Sequence, residues 1–459
     1  MSTKKAILSD FKRAYFIGIG GIGMSALAKY FKQLNWNVAG YDKTASLLTK
    51  DLESLGIEIH YEDDISLIPL SFLSKENSLI VYTPAVPSDH SELIFFKTNG
   101  FHIAKRSEVL GLISNVSKTI AIAGTHGKTT TSSMMSWILA QSELGCDAFL
   151  GGIAVNFNSN LVLHKIKTEY TVVEADEFDR SFLQLHPYSA IITSVDPDHL
   201  DIYENNEEFV QGFRDFASLV NPQGWLITRE GLPIVSNQKR YTYAVDSNSA
   251  DYSAFNLKFY DGFFQMDVRT PFGMLLNVKL GIPGIHNAEN ALACIAMAHT
   301  LGIDEQTIRA GLESFLGVKR RFEYIVRTDD FVYIDDYAHH PTELKALIDS
   351  VKLLYPDKKI TGVFQPHLFS RTKDFFDGFV EELSRLDELL LMPIYPAREL
   401  PIPGVTSDAL LQKVKNTQKH LLNHEQVINF FSQYKPELLL TIGAGNIDLI
   451  IDNLRQKWL

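Results

Sequence analysis

Gly124-Thr125-His126-Gly127-Lys128-Thr129-Thr130 carries the strongest chemical signal in this chain. An apolar run, Thr119–Ala123, leads into it and a helix-like run over residues 131–140 leads out. Strand, glycine turn and helix is the context in which backbone N–H groups and the positive end of a helix hold phosphate. Lys128 is placed to reach outer phosphates, and Thr129 to offer its hydroxyl to Mg²⁺. The usual leading glycine of such a loop would fall at Ile122, so the strict spacing is not met. A glycine turn before a buried helix is the plainer alternative, and Gly-Lys-Thr in this context favours nucleotide.

A second glycine segment, Gly18-Ile19-Gly20-Gly21-Ile22-Gly23, fits G-x-G-x-x-G between a strand and a helix. Asp42, at the end of the next apolar run, has the spacing of a ribose-binding acid. Alone this suggests NAD, but the pyrophosphate of any nucleotide satisfies the same physics. Glu174 ends the buried run Tyr170–Glu174, where a carboxylate can hold Mg²⁺, whereas Glu177 and Asp179 read as a solvated acidic loop. His199, in Asp196-Pro197-Asp198-His199-Leu200-Asp201, follows another buried run, although imidazole is an unusual Mg²⁺ ligand. His286, Asn287 and Asn290 open an Ala-rich helix, as caps or as contacts to base and ribose. Asp335-Asp336-Tyr337-Ala338-His339-His340-Pro341 ends a strand with two acids and two histidines, and His367 and Arg371 follow the next strand, where they suit anionic groups.

The elements that must position these residues form three alternating strand–helix blocks, the pattern of parallel sheets covered by helices. The first holds strands near 14–17, 37–42, 78–82 and 103 and a helix over 24–34, and Asn115–Lys118 reads as a linker. The second begins at the phosphate loop, with strands at 170–174 and 190–195 and an antiparallel insertion over 241–280. The third starts near Phe322 and holds strands at 331–335, 359–364, 388–392 and 437–441. The chain has 459 residues, 45% apolar and 21% charged, the composition of an ordinary globular protein. Its net charge of −12 argues against nucleic acid or an anionic membrane as partner. No apolar run is long enough for a bilayer, and no signal peptide is evident, so a cytoplasmic setting without integral membrane contact is expected. Cys146 and Cys294 read as buried or incidental thiols.

Taken in order, these segments resemble the Mur ligases over essentially the whole chain. The resemblance is carried by 18–26, 124–130, 174–177, Asp198-His199, His286-Asn287 with Asn290, Arg320-Arg321-Phe322-Glu323, 335–341 and Phe364-Gln365-Pro366-His367. It implies an α/β fold of three domains: an N-terminal Rossmann-like domain (1–115) for a UDP-sugar, a central P-loop-type parallel sheet with a small antiparallel insertion (116–319) for ATP, and a C-terminal Rossmann-like domain (320–459). It assigns Gly124, Thr125, Gly127, Lys128, Thr129, Thr130, His286, Asn290, Arg321 and Asp336 to ATP, and Thr129, Glu174 and His199 to Mg²⁺. Gly18, Gly20, Gly21, Ile22, Gly23, Asp42 and Arg106 fall to the UDP-sugar. Tyr337, His340 and Arg371 fall to the amino acid, and Lys128, His199, His126 and Arg371 to catalysis.

The implied reaction is ATP-driven joining of L-alanine to the lactyl carboxylate of UDP-N-acetylmuramate through an acyl phosphate, by a monomer or weak homodimer. A sister ligase that attaches a recycled murein tripeptide is the alternative. Two departures stand out. No lysine lies between His199 and Gly224, where many relatives carry a carbamylated one, in keeping with the alanine-adding branch. Leu368 stands where a second basic residue is common. A dehydrogenase explains 18–42 but not Gly-Lys-Thr, a P-loop switch explains Lys128 but not the first block, and a noncatalytic regulator has no need of Lys128, Thr129, Glu174 and His199 together.

Overall fold

Three β-sheets organise the chain in the computed structural model, which describes residues 8–166, 168–196, 206–260, 263–397, 399–416, 418–432 and 434–458. The chain falls into two compact units, one built around the first two sheets and the other around the third.

The first sheet is parallel throughout, in the order Glu58–His60, Asn37–Tyr41, Arg13–Ile17, Ser78–Tyr82, His102–Lys105. Strand order reverses at Arg13–Ile17, and open parallel sheets bind ligands at such a reversal, outside the carboxyl ends of the strands. Gly18–Gly23 leaves the sheet there. The helix after it, Ile22–Gln33, starts two residues before the expected Met24, because Gly21 is still extended and caps it.

The second sheet runs Gly273–Leu280, Phe263–Thr270, Tyr252–Tyr260, Arg240–Val245, Leu226–Arg229, Ser189–Ile192, Lys118–Ala123, Tyr170–Glu174, Asp147–Ala154, Ser159–Val162. Its centre is parallel, and Ser159–Val162 turns back antiparallel on Asp147–Ala154. The expected antiparallel insertion is shorter than the pattern suggested. Arg240–Val245 pairs in parallel with both neighbours, so the meander begins only at Tyr252. Alternation of apolar and polar residues marks a half-buried strand but not its direction.

The third sheet runs Glu323–Arg327, Val332–Asp336, Leu438–Ile442, Ile360–Phe364, Glu388–Leu391, Gln418–Leu421. Only the Glu323–Arg327 edge is antiparallel. The four inner strands are those the apolar runs predict. Gln418–Leu421, largely exposed, has no apolar face to betray it.

Within the first unit one apolar core joins the two sheets: Phe16, Leu27 and Phe31 belong to the same cluster as Phe149, Phe182 and Phe213. A buried polar clasp fixes the register between them. Lys29 Nζ donates to Asn160 Oδ1 at 3.1 Å, and Asn160 Nδ2 donates to the Ile22 carbonyl at 2.6 Å. Cys146 and Cys294 are both buried free thiols. Among the described residues no helix is long and apolar enough to cross a membrane.

Candidate functional site

The strand Lys118–Ala123 delivers Gly124, and the helix Lys128–Gln141 begins at Gly127. Gly124 has φ +133° and Gly127 φ +81°, both strained for any side chain. A Cβ at Gly124 would also stand 2.1 Å from Thr193 Oγ1, and one at Gly127 2.7 Å from Asn290 Oδ1. The loop is stitched to the end of the neighbouring strand: Thr125 N donates to the Ser194 carbonyl, His126 N to Ser194 Oγ at 2.9 Å, and Thr125 Oγ1 to the Asp196 carbonyl at 2.9 Å. His126 Nε2 lies 4.0 Å from Asp196 Oδ2. Asn290 braces the loop from behind, accepting from Thr131 Oγ1 at 3.1 Å. Thr129 is buried at the first turn, with the more open Thr130 beside it.

Lys128 Nζ donates to the Gly124 carbonyl at 2.6 Å and to both oxygens of Glu177, at 2.7 and 2.9 Å. Burial works against its charge, but Glu177, Asp176 and Glu174 outweigh burial and raise its pKa. Glu177 therefore departs from the solvated acidic loop expected of it: its side chain is 2% exposed and paired with Lys128. Asp179 does remain at the surface, 37% exposed, against Lys105 at 2.7 Å.

Glu174 leaves the sheet beside the phosphate loop, opposite Ile122 in register, with Ala175 N donating to the Ile122 carbonyl at 2.8 Å. Its Oε2 accepts from Gly151 N at 3.1 Å. Gly151 is a position that sequence reasoning missed: a Cβ there would fall 2.1 Å from Glu174 Oε2. The Thr129 hydroxyl and the Glu174 carboxylate are oxygen donors, the ligand chemistry Mg²⁺ requires. His199, the third expected ligand, lies outside the described residues.

At the first sheet's edge, Gly18 and Ile19 donate their N–H groups to the Tyr41 carbonyl at 2.8 and 2.9 Å. Gly20 N donates to Asp42 Oδ2 at 2.7 Å and Thr44 N to Asp42 Oδ1 at 3.1 Å, so Asp42 shapes the glycine loop directly. A cavity of about 290 Å³ opens beside this loop. Its wall runs from Gly21, Ile22 and Gly23 through Thr83 and Arg106 to Phe149, Gly151, Glu174 and Asp176. Arg106, first residue of the helix Arg106–Ser114, pairs with Asp176 at 3.3 Å.

The second unit gathers its own polar cluster at the carboxyl edge of the third sheet. Burial pushes Asp335 up to about 7 against the pull of Arg320, and Asp336 up to about 6 against that of Arg321. Asp336 accepts from Phe322 N at 2.7 Å and Ala338 N at 2.8 Å. Tyr337 lies under both guanidinium groups, 5.1 Å from Arg320 and 5.2 Å from Arg321. His286 is held neutral, its pKa lowered to about 4 by burial and then by Arg321. His340 caps the helix Pro341–Leu354 through its ring, with Thr342 N 3.3 Å from Nδ1. Arg371 Nη1 donates to His367 Nδ1 at 3.2 Å. Leu368, between them, takes the unusual φ of +70° that starts the helix Phe369–Asp374. A further glycine pair went unread: Gly443-Ala444-Gly445 follows the buried strand Leu438–Ile442, and a Cβ at Gly445 would meet Gln365 Oε1 at 2.4 Å.

Residues 13–118 match the Mur ligase family, catalytic domain; 122–298 match the Mur ligase middle domain; and 320–445 match the Mur ligase, glutamate ligase domain. The chain is 48% identical over 450 residues to a UDP-N-acetylmuramate–L-alanine ligase of Porphyromonas gingivalis strain W83, covering 97% of this chain and 98% of that one. It is 49% identical over 450 residues to the like-named protein of Flavobacterium psychrophilum, covering 98% and 99%. Among solved structures, the UDP-N-acetylmuramate-alanine ligase of Thermotoga maritima superposes with a TM-score of 0.84 at 25% identity, covering 97% and 99%. A murein peptide ligase of Psychrobacter arcticus shares the fold, with a TM-score of 0.70 at 23% identity, covering 97% and 98%. With three domain matches in order and near-full-length relatives at this identity, the chain belongs to the Mur ligase family.

Proposed function

We propose that this protein joins L-alanine to the lactyl carboxylate of UDP-N-acetylmuramate, converting ATP to ADP and phosphate. One observation carries the reading beyond family membership. The cavity beside Gly21–Gly23 and Arg106 ends at Glu174, the carboxylate one strand from the phosphate loop. A sugar nucleotide held there brings its own carboxylate to the edge where outer phosphates are held by Lys128.

The lactyl oxygen attacks the γ-phosphorus, the bond to the β-phosphate oxygen breaks, and ADP leaves. The L-alanine amine then attacks the acyl carbon, a proton leaves the nitrogen, and phosphate departs. Lys128 and the N-terminus of its helix stabilise charge on the transferring group. Thr129, Glu174 and His199 would hold Mg²⁺, which neutralises phosphate charge. In this reading Gly124, Thr125, Gly127 and Thr130 cradle ATP, with His286, Asn290, Arg321 and Asp336 as further contacts. Gly18, Gly20–Gly23, Asp42 and Arg106 take the sugar nucleotide, and His126, Tyr337, His340 and Arg371 the amino-acid end. The proposed domain limits are 1–115, 116–319 and 320–459, and the proposed setting is the cytoplasm, as a monomer or weak homodimer.

The test is phosphate release and product mass with UDP-N-acetylmuramate, ATP and Mg²⁺, offered either L-alanine or a murein tripeptide. Turnover with L-alanine supports the reading. Turnover with the tripeptide alone, or with neither, refutes it.

A further inference from the structure

An ammonium group has three N–H donors. Those of Lys128 are taken up by the Gly124 carbonyl at 2.6 Å and the two Glu177 oxygens at 2.7 and 2.9 Å, with the Thr125 carbonyl at 3.4 Å. A phosphate oxygen can accept from this lysine only if a present partner lets go. Gly124 and Thr125 belong to the backbone of the loop itself and cannot withdraw without unmaking it. Glu177 is a side chain with rotatable bonds, and its charge is repelled by a triphosphate. The pair is buried, at 13% and 2% side-chain exposure, so neither charge is dispensable without the other. The backbone around Glu177 is pinned: Arg180 N donates to the Glu177 carbonyl at 3.0 Å, and Lys105 holds Asp179. The neighbouring Asp176 holds Arg106 at the sugar cavity in the same way.

We propose that Glu177 is a positioning residue that holds the Lys128 ammonium inside the phosphate loop and yields it to the outer phosphates of the incoming nucleotide. The proposal rests on the reading of Lys128 as a phosphate ligand. Binding then exchanges one charge-assisted partner for another, and the lost Lys128–Glu177 contact opposes nucleotide affinity.

The experiment is a double-mutant cycle, with calorimetry of a non-hydrolysable ATP analogue and Mg²⁺ on the full-length wild type, Glu177→Gln, Lys128→Ala and the double variant. Removing the carboxylate relieves its repulsion of the nucleotide in either background. Only with Lys128 present does it also remove a contact that binding must break. The expected result is that Glu177→Gln tightens the analogue about tenfold more with Lys128 than without it, the size of one charge-assisted hydrogen bond. In kinetics the KM for ATP should fall with no matching rise in kcat. Glu177→Asp, which keeps the charge on a shorter stem, should fall between wild type and Glu177→Gln, and it serves for the same comparison if the glutamine variant does not fold. Equal shifts in the two backgrounds, or weaker binding in both, overturn the proposal and leave Glu177 a structural counter-ion. Wild-type affinity in Lys128→Ala overturns the phosphate-loop reading itself, and with it this proposal.

Discussion

Replacing Gly151 with alanine adds one methyl group against the Glu174 carboxylate, at the wall of the cavity beside Gly21–Gly23. A Cβ there stands 2.1 Å from Glu174 Oε2, 2.4 Å from its Cδ and 2.5 Å from Oε1, whereas ordinary contact begins at 3.4 Å. The carboxylate must therefore retreat by about 1.3 Å, the difference between 3.4 and 2.1 Å, and it gives up the 3.1 Å bond from Gly151 N. Overpacking of this kind costs about 1–3 kcal/mol of stability. Displacing a group at a reacting centre by about 1 Å costs about a hundredfold in rate. Initial rates of phosphate release across a Mg²⁺ series, with thermal unfolding as a control, separate the two effects. Turnover should fall about a hundredfold, with half-saturation shifted to higher Mg²⁺. Glu174→Gln in the Gly151→Ala background should add little, because both changes act through the same carboxylate. An unchanged Mg²⁺ requirement and turnover within about threefold of wild type, far short of that loss, would refute the placement of Glu174 at the metal.

Lys128→Met should lose ligation about a hundredfold or more and also destabilise the fold by about 3–5 kcal/mol, since it leaves a buried carboxylate without its cation. Lys128→Met with Glu177→Gln should regain most of that stability and none of the rate; denaturation and phosphate release read both, and a single variant as stable as wild type refutes the buried pair. Asp335 is pushed up to about 7 from 3.8, so between about pH 4 and 7 the folded protein holds a proton the unfolded chain has lost, and stability falls as pH rises through that window. Asp335→Asn should flatten the pH dependence measured by chemical denaturation, and an unchanged slope would refute it. Gly20→Val should weaken UDP-N-acetylmuramate binding about tenfold or more and spare the ATP analogue, because its Cβ would meet Asp42 Oδ2 and Thr49 Cγ2 at 2.8 Å each. Equal affinity for the sugar nucleotide in calorimetry would remove the glycine loop from that site.

The strand ends were legible wherever an apolar run stopped at a glycine. Gly18–Gly23 and Gly124–Thr130 announce themselves because parallel strands buried on both faces are written as continuous apolar stretches, and the turn after them must be small. Gly443-Ala444-Gly445 follows Leu438–Ile442 by the same rule and was readable on the same grounds. Glu177 was not. Its neighbours Asp176 and Asp179 are the composition of a solvated turn, and its burial is decided by Lys128, 49 residues away. Gly151 sits inside an apolar strand with no motif around it, and its meaning comes from Glu174 on the adjacent strand. His340 has a structural role that its motif did not announce: its ring caps the helix Pro341–Leu354.

What the sequence distributes over two domains, the fold returns to the end of one strand. Glu174, Asp176, Glu177 and Asp179 leave Tyr170–Glu174 in a single short turn. Ala175 N on the Ile122 carbonyl ties that turn to the strand Lys118–Ala123, Asp176 and Asp179 tie it to Arg106 and Lys105 at the end of the first sheet, and Glu177 ties it to Lys128. Arg106 and Lys128 therefore cannot drift apart without breaking a charged contact on this turn. In the proposed reaction three anionic groups must meet for the lactyl carboxylate to be phosphorylated, and holding them in reacting geometry against their repulsion needs cations at fixed positions. A turn that grips Arg106, Lys105 and Lys128 through backbone tied to the sheet holds these three cations at set separations before any substrate arrives. In the proposed cycle Glu177 alone among these carboxylates gives up its cation to the incoming phosphate.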